Sequence, residues 1–212
     1  MYLKITGFIL VNIVLYPLSV NANLLLNGSF EIGPDPGTFT QLSIGSTVID
    51  GWEVIQDNID YVGTTWPASD GSRSIDLAPS SVSGAGGISQ SFSTSNGIEY
   101  SVQFDMAGNP GFGAGSGVKN MRVQAAGQFA DFSFDTAGHT LSDIGWETQT
   151  WTFLATGSTT TLEFLSLDSP EFFGPALDNV SVNIVPIPTA IWLFGSGIIG
   201  LLGFRKSIQK IA

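Results

Sequence analysis

The pattern that most constrains the fold of this chain is an alternation of apolar and polar residues with a period of two. It is clearest from Ile98 to Met106, where every second residue is apolar, and it recurs from Ala176 to Val185. Clusters of Gly, Ser, Asn and Pro bound these runs, which is typical of strands. No segment of the chain body shows a helical period. About 160 residues of short strands predict an all-β protein, a β-sandwich or jelly roll.

Other apolar runs add strands to this prediction. Residues 129–134 are rich in aromatic side chains. Residues 151–154 and 161–167 predict two paired strands separated by a turn at Gly157–Ser158. The glycine-rich residues 108–117 predict a loop, and they lack the lysine and spacing of a phosphate-binding loop.

The first 22 residues predict a secretory signal peptide. Lys4 precedes an apolar run, and Val20-Asn21-Ala22 supplies small residues before the expected cleavage. The alternative is a retained N-terminal anchor helix.

The last segment, residues 185–212, predicts a membrane-anchoring tail. Ile187–Phe204 is an uncharged span of 18 residues, long enough to cross a bilayer core of about 30 Å as a helix. Three basic residues follow it: Arg205, Lys206 and Lys210. Their position predicts a cytoplasmic C-terminus, with the preceding domain outside.

The domain between these ends, residues 23–184, is strongly acidic. It contains all 18 acidic residues and only three basic ones, Arg73, Lys119 and Arg122, which gives a formal charge of −15. This charge argues against nucleic acid as a partner, since phosphate binding needs lysine and arginine. The chain has no cysteine, so disulfides and thiol chemistry are excluded.

A ligand-binding cluster is predicted between residues 61 and 76. Aromatic rings bind the C–H faces of sugars, and carboxylates and arginine hold sugar hydroxyls. The candidates are Tyr61, Trp66, Asp70, Arg73 and Asp76. The alternative is structural, with the rings in the core and Arg73 in a buried salt bridge to Asp76 or Asp70.

Catalysis has little support in the sequence. His139 is the only histidine, and there is no G-x-S-x-G nucleophile motif. A glycosidase uses a pair of carboxylates. With 18 acidic residues in the chain some pair will lie at a suitable distance, so such a pair is not specific evidence for catalysis. We therefore predict that the protein is not an enzyme.

Six short segments of the domain form recognisable motifs: Asn27–Glu31, Asp50–Trp52, Asp60–Tyr61, Asp70–Leu77, Gly145–Thr148 and Gly174–Val180. They resemble the choice-of-anchor C family, which is related to plant cell-wall proteins with a domain of unknown function. The resemblance covers residues 23–184 and implies a galactose-binding-like jelly roll.

The tail is similar to the PEP-CTERM sorting signals of the VPLPA type. The motif here is Val185, Pro186, Ile187 and Pro188, with Ile187 in place of the usual leucine. The resemblance implies processing by an exosortase, a membrane transpeptidase, in a Gram-negative bacterium that exports polysaccharide. It implies transient anchoring in the inner membrane and a final place at the cell surface or in the matrix. The alternative is a plain anchor that is never cut.

The resemblance also implies a structural calcium ion. Related carbohydrate-binding modules pair a glutamate near the start of the domain with an aspartate near its end, here Glu31 and Asp178. Asn27 and Ser29 would add oxygen ligands. The alternative is that these residues form turns or are simply solvated.

Together these features predict an exported surface protein that binds carbohydrate or has a structural role in the exopolysaccharide matrix. The alternatives are an adhesion or scaffold protein that binds no glycan, and a cell-wall hydrolase. Exposure of Tyr61 or Trp66 is the expectation of the glycan-binding hypothesis, whereas a scaffold would bury them.

Overall fold

The fold is defined by a computed structural model that describes residues 22–78, 84–112, 117–168 and 172–186. The predicted transmembrane helix and nearly all of the predicted signal peptide lie outside these ranges. Within them no residue is helical, and no helix there could cross a membrane. The described residues form eleven strands: β1 Phe39–Ser43, β2 Glu53–Gln56, β3 Asn58–Val62, β4 Ser74–Asp76, β5 Gly87–Ser93, β6 Glu99–Gly108, β7 Val118–Ala125, β8 Gln128–Asp135, β9 Glu147–Leu154, β10 Thr159–Ser166 and β11 Pro175–Ile184.

These strands form two antiparallel sheets packed face to face. Sheet A has the strand order β1-β3-β4-β11-β6-β9, and sheet B has the order β2-β5-β10-β7-β8. Aromatic side chains fill the space between them; for example, the rings of Phe104 on β6 and Phe164 on β10 lie 5.2 Å apart. The prediction of an all-β sandwich is confirmed.

The alternating segment at residues 98–106 becomes β6, in the interior of sheet A. Tyr100, Val102, Phe104 and Met106 are buried, whereas Glu99 is exposed. Since one face of a strand contacts the core, the period of two in the sequence follows directly from this position.

The predicted pairing of residues 151–154 with 161–167 is wrong. Their strands, β9 and β10, belong to different sheets: β9 pairs with β6, and β10 pairs with β5 and β7. The turn at Gly157–Ser158 carries the chain from one sheet to the other. The backbone N–H of Ala155 bonds the carbonyl of Ile98 in the loop before β6, and the carbonyl of Ser158 accepts from Thr94 after β5.

The beginning of the domain lies against its last strand, as the resemblance implies. The N–H of Leu24 donates to the carbonyl of Val182 at 3.0 Å, and that of Val180 donates to the carbonyl of Gly28 at 2.9 Å. β4 has only three residues, so this part of the β11 edge is open to residues 23–28. A Cβ atom on Gly28 would lie 1.9 Å from the Val180 carbonyl oxygen, and the close approach therefore requires glycine.

The face of sheet A that points away from the core carries polar residues. Asp60 on β3 pairs with Asp76 on β4, while their neighbours Ile59 and Ile75 point into the core. The loop from residue 63 to residue 73 folds back across this outer face. Its Ser69 hydroxyl donates to Asp105 of β6 at 2.6 Å.

Candidate functional site

A cavity of about 630 Å³ opens on the outer face of sheet A; we call it the cleft. Its floor is polar and its walls are mostly aromatic or hydroxylated. The described residues that line it include no basic side chain. These residues are Thr38, Phe39, Asp60, Val62, Thr64, Thr65, Trp66, Asp76, Asn109, Gly111, Phe112, Leu141, Phe172 and Phe173.

Phenylalanine rings from three separate segments surround the cleft. Phe112 is 94% exposed, and Phe39 and Phe172 are also exposed. The ring of Phe112 packs edge-on against that of Phe173 at 5.8 Å between centroids. Exposed rings gathered around a cavity are typical of a binding site rather than of a fold's own packing.

The loop that carries Phe112 is fixed by hydrogen bonds. The backbone N–H of Asn109 donates to the carbonyl of Gly174 at 2.9 Å. The side-chain oxygen of Asn109 accepts from the N–H of Gly111, also at 2.9 Å. Gly111 has a φ of +69°, a turn conformation that favours glycine. The exposed ring is therefore held on an ordered turn.

The floor of the cleft contains a carboxyl group with a strongly shifted pKa. Asp76 is 1% exposed; its Oδ1 accepts from the N–H groups of Ala78 and Gly174, and its Oδ2 accepts from the amide of Asn109. Burial raises the pKa of Asp76 to about 7, the bond from Asn109 lowers it, and the charge of Asp60 raises it.

A second cavity, of about 690 Å³, continues from the cleft; we call it the shelf. The two share Thr64, Thr65, Trp66 and Leu141. The shelf's other lining residues have small side chains or, in one case, a proline ring: Gly63, Pro67, Ala68, Gly71, Ser72 and Ser142.

The expected exposure of the predicted ligand-binding aromatics is wrong. Tyr61 is 1% exposed and Trp66 is 4% exposed, and both belong to the core cluster. Tyr61 points between the sheets, where its hydroxyl donates to the carbonyl of Phe30 at 2.6 Å. Trp66 is buried because its loop folds back on the sheet, and its Nε1 donates to Ser74 Oγ at 2.9 Å. Only a small part of Trp66 reaches the cleft.

Arg73 does not form the predicted salt bridge to Asp76 or Asp70. Its guanidinium donates to the carbonyls of Glu31 and Gly33 and to the hydroxyl of Tyr61, at 2.7–2.9 Å. The segment of residues 31–33 crosses directly beside the Arg73 side chain. Its backbone carbonyls therefore accept the hydrogen bonds that a carboxylate was expected to accept. Asp70 lies outside the cleft, where it accepts from Ser29 Oγ at 2.6 Å.

Of the five predicted ligand-binding residues, only Trp66 and Asp76 line the cleft. Tyr61, Asp70 and Arg73 instead hold the loops beside it.

The predicted metal ligands Glu31 and Asp178 both bind the loop of residues 63–73. The carboxylate of Glu31 accepts from the N–H groups of Ser72 and Arg73 and from the Ser72 hydroxyl. The carboxylate of Asp178 accepts from the N–H groups of Ser69 and Asp70, both through Oδ2. These oxygens therefore face N–H and O–H donors of the protein.

The four predicted ligands use their side-chain oxygens in hydrogen bonds with the protein in this arrangement. Calcium takes six to eight oxygen ligands, whereas the carboxylates here are surrounded by donors. Asn27 uses its amide to bond the carbonyls of Ile32 and Asp50. Among the described residues, no three or more acidic, histidine or cysteine side chains are placed to hold a metal. Calcium binding itself stays a prediction.

The hydrolase alternative would need two carboxyls in one cavity, at least one of them with a raised pKa. Asp60 and Asp76 meet this requirement, since both line the cleft and burial raises the pKa of Asp76. The positions of the atoms oppose this alternative. Asp60 and Asp76 are 2% and 1% exposed, and both oxygens of Asp76 accept hydrogen bonds from the protein. A general acid must reach the bond that it protonates.

Sequence reasoning missed the phenylalanines of the cleft. Phe112 stands in a glycine-rich loop, and Phe172 and Phe173 precede β11. The sequence did contain one signal for them. An aromatic residue in a segment without strand periodicity cannot be assigned to a core position of a strand, so it is a candidate for a binding site.

The fold and the cleft define a class: a two-sheet β-sandwich with a cavity on the outer face of one sheet. The chain belongs to the family described as "Protein of unknown function (DUF642)", whose model matches residues 23–183. It is also 32% identical over 175 residues to Halomucin of Haloquadratum walsbyi. That match covers 79% of this chain and 2% of Halomucin, so the chain spans a very small part of that relative.

Several solved structures are similar to this chain at low identity. An arabinose-bound α-L-arabinofuranosidase, MgGH51, is 14% identical with a TM-score of 0.53, and the match covers 79% of this chain and 27% of that one. TmCBM61 in complex with β-1,4-galactotriose is 15% identical with a TM-score of 0.47, covering 77% and 99%. A family 16 carbohydrate-binding module is 15% identical with a TM-score of 0.46, covering 76% and 99%.

Proposed function

We propose that this protein is a non-catalytic module that binds a neutral glycan in the cleft. The observation that carries the proposal is the cleft itself, where exposed phenylalanine rings surround a floor of carboxylate and amide groups. Rings can stack on the C–H faces of a sugar, and the hydroxyls of Thr38, Thr64 and Thr65 offer hydrogen bonds. A few polar groups in a largely apolar cavity are the usual composition of a small-ligand site.

The charge of the site favours an uncharged ligand. The described part of the cleft lining contains Asp60 and Asp76 and no basic residue, and the domain as a whole carries −15 from 18 acidic and three basic residues. An anionic sugar would meet repulsion without a compensating arginine or lysine.

We further propose that the module is exported and displayed at the cell surface or in the matrix, after exosortase processing at the motif that begins with Val185 and Pro186. The arrangement of the domain suits this display. β11 starts beside the cleft at Pro175 and ends at Ile184. The end of the strand, from which the tail continues, therefore lies about 30 Å from its start beside the cleft. Residues 23–28 run beside that same end. A tail attached there would leave the cleft facing away from the membrane.

The test is calorimetric titration of the full-length chain, purified in detergent, with neutral hexose and pentose oligosaccharides and with matched uronic-acid oligosaccharides. We expect binding of at least one neutral series and none of the acidic series. Phe112→Ala should weaken that binding at least about tenfold, because it removes an exposed ring. Phe129→Ala, on the far side of sheet B, is the matched control and should bind normally. Failure of every neutral oligosaccharide would favour the scaffold hypothesis.

A further inference from the structure

The cleft and the shelf are continuous, and this continuity defines the class of ligand. Thr64, Thr65, Trp66 and Leu141 line both cavities, so the two cavities adjoin along these four residues. Each cavity, at about 630 and 690 Å³, is already in the range of a whole small-ligand site, about 300–1,000 Å³. Together the two cavities offer more volume than one such site needs.

We propose, resting on the glycan-binding function above, that the cleft and the shelf together bind several consecutive units of a linear neutral polysaccharide. The rings of the cleft hold the first units. The chain then passes over Thr64 and Thr65 and continues across the shelf, where small side chains leave room for the sugars. Since none of the shelf's lining residues that the structure describes is charged, the shelf offers no partner for an ionised chain end.

Hydrogen bonds within the protein hold the shelf in the shape that it has without a ligand. The loop that forms it is held from below by Asp178, which accepts from Ser69 and Asp70, and at its end by Glu31, which accepts from Ser72 and Arg73. The indole of Trp146 donates to the carbonyl of Pro67 at 3.0 Å. A preformed surface avoids the entropic cost of ordering a loop on binding. Glu31 and Asp178 are therefore positioning residues of the shelf.

The experiment compares neutral oligosaccharides of two and six units, titrated into the full-length chain. Ser142→Trp fills the shelf alone, because Ser142 is exposed and lines the shelf but not the cleft. We expect the six-unit ligand to bind the unaltered protein at least about tenfold more tightly than the two-unit ligand. Ser142→Trp should abolish this gain and leave two-unit binding unchanged. Ser133→Trp, on the exposed face of β8, is the matched control and should preserve both.

The outcomes separate this inference from the proposed function. Equal affinity for two and six units would overturn the inference while leaving the glycan-binding function intact. Full six-unit binding by Ser142→Trp would also overturn it. Should that variant fail to fold, Ala68→Trp fills the same shelf from the opposite loop and carries the same expectation. Absence of binding by both ligands and by longer neutral polysaccharide would contradict the proposed function, and the inference with it.

Discussion

Asp76 and Asn109 meet at the floor of the cleft, where the asparagine amide donates to the carboxylate Oδ2 at 2.7 Å. This bond joins β4 to the loop after β6 and holds the pKa of Asp76 down. Burial outweighs it and raises the pKa of Asp76 to about 7. Burial likewise raises the pKa of Asp178 to about 7, against the N–H bonds from Asp70, Asn179 and Ser69.

Stability should fall as the pH rises from about 4 to 7. Both carboxyls bind a proton more tightly in the folded chain than in the unfolded chain, where an aspartate has a pKa of about 3.9. The folded state therefore holds more protons in this window, and each group lowers the free energy of unfolding by up to about 1.4 kcal/mol per pH unit as the pH rises. Urea denaturation at pH 5 and pH 8 measures the effect. Greater stability at pH 8 would contradict it.

Asp76→Asn should remove part of that pH dependence, since it deletes one of the two titrating groups. We expect the slope between pH 5 and 7 to decrease by up to about 1.4 kcal/mol per pH unit. Asp131→Asn is the matched control. The pKa of Asp131 is lowered by its hydrogen bonds to Arg122, so it titrates below this window and its removal should leave the slope unchanged.

Trp66→Ala should destabilise the fold, whereas Phe112→Ala should not. Trp66 is 4% exposed, and removing a buried aromatic side chain costs about 3–5 kcal/mol. Phe112 is 94% exposed, so its removal should change the free energy of unfolding by less than about 0.5 kcal/mol. Urea denaturation of both variants at one pH provides the comparison. Similar losses in the two would mean that Phe112 belongs to the packing rather than to a site.

The sequence predicts the strands better than it predicts their partners. β6 alternates visibly because one of its faces contacts the core. The assignment of β9 and β10 to different sheets could not be predicted. Two apolar runs around Gly157–Ser158 look the same whether the turn stays within a sheet or crosses between sheets. Only long-range packing distinguishes the two cases.

The candidate site was predicted less well than the fold, for a related reason. The cleft is assembled from segments that are distant in the sequence, among them the loops of Phe112 and Phe172. Single aromatics in loops carry no periodicity, so their convergence is set by the topology. Trp66 was predicted to be exposed and is buried, because a loop sequence does not show that the loop folds back and buries its ring.

Glu31→Ala should loosen the loop of residues 63–73. It removes the acceptor for the N–H groups of Ser72 and Arg73 and for the Ser72 hydroxyl, at a cost of about 1–3 kcal/mol. Thermal unfolding measures the loss, and limited proteolysis should show new cleavage within the loop. Glu31→Gln retains one acceptor oxygen and should lose less. Glu53→Ala, an exposed glutamate on β2, is the control and should behave as the unaltered protein.

The predicted calcium ion has to compete with the loop of residues 63–73 for Glu31 and Asp178, because both carboxylates already accept hydrogen bonds from that loop. We expect the same melting temperature in EGTA and in excess calcium, with magnesium as the control cation. An ion bound at this position at 100 times its dissociation constant would add about 2.7 kcal/mol, which shifts the melting temperature of a domain of this size by several degrees. A rise of that size with calcium and not with magnesium would mean that the loop gives up its bonds to these carboxylates. The calcium site implied by the resemblance would then be present.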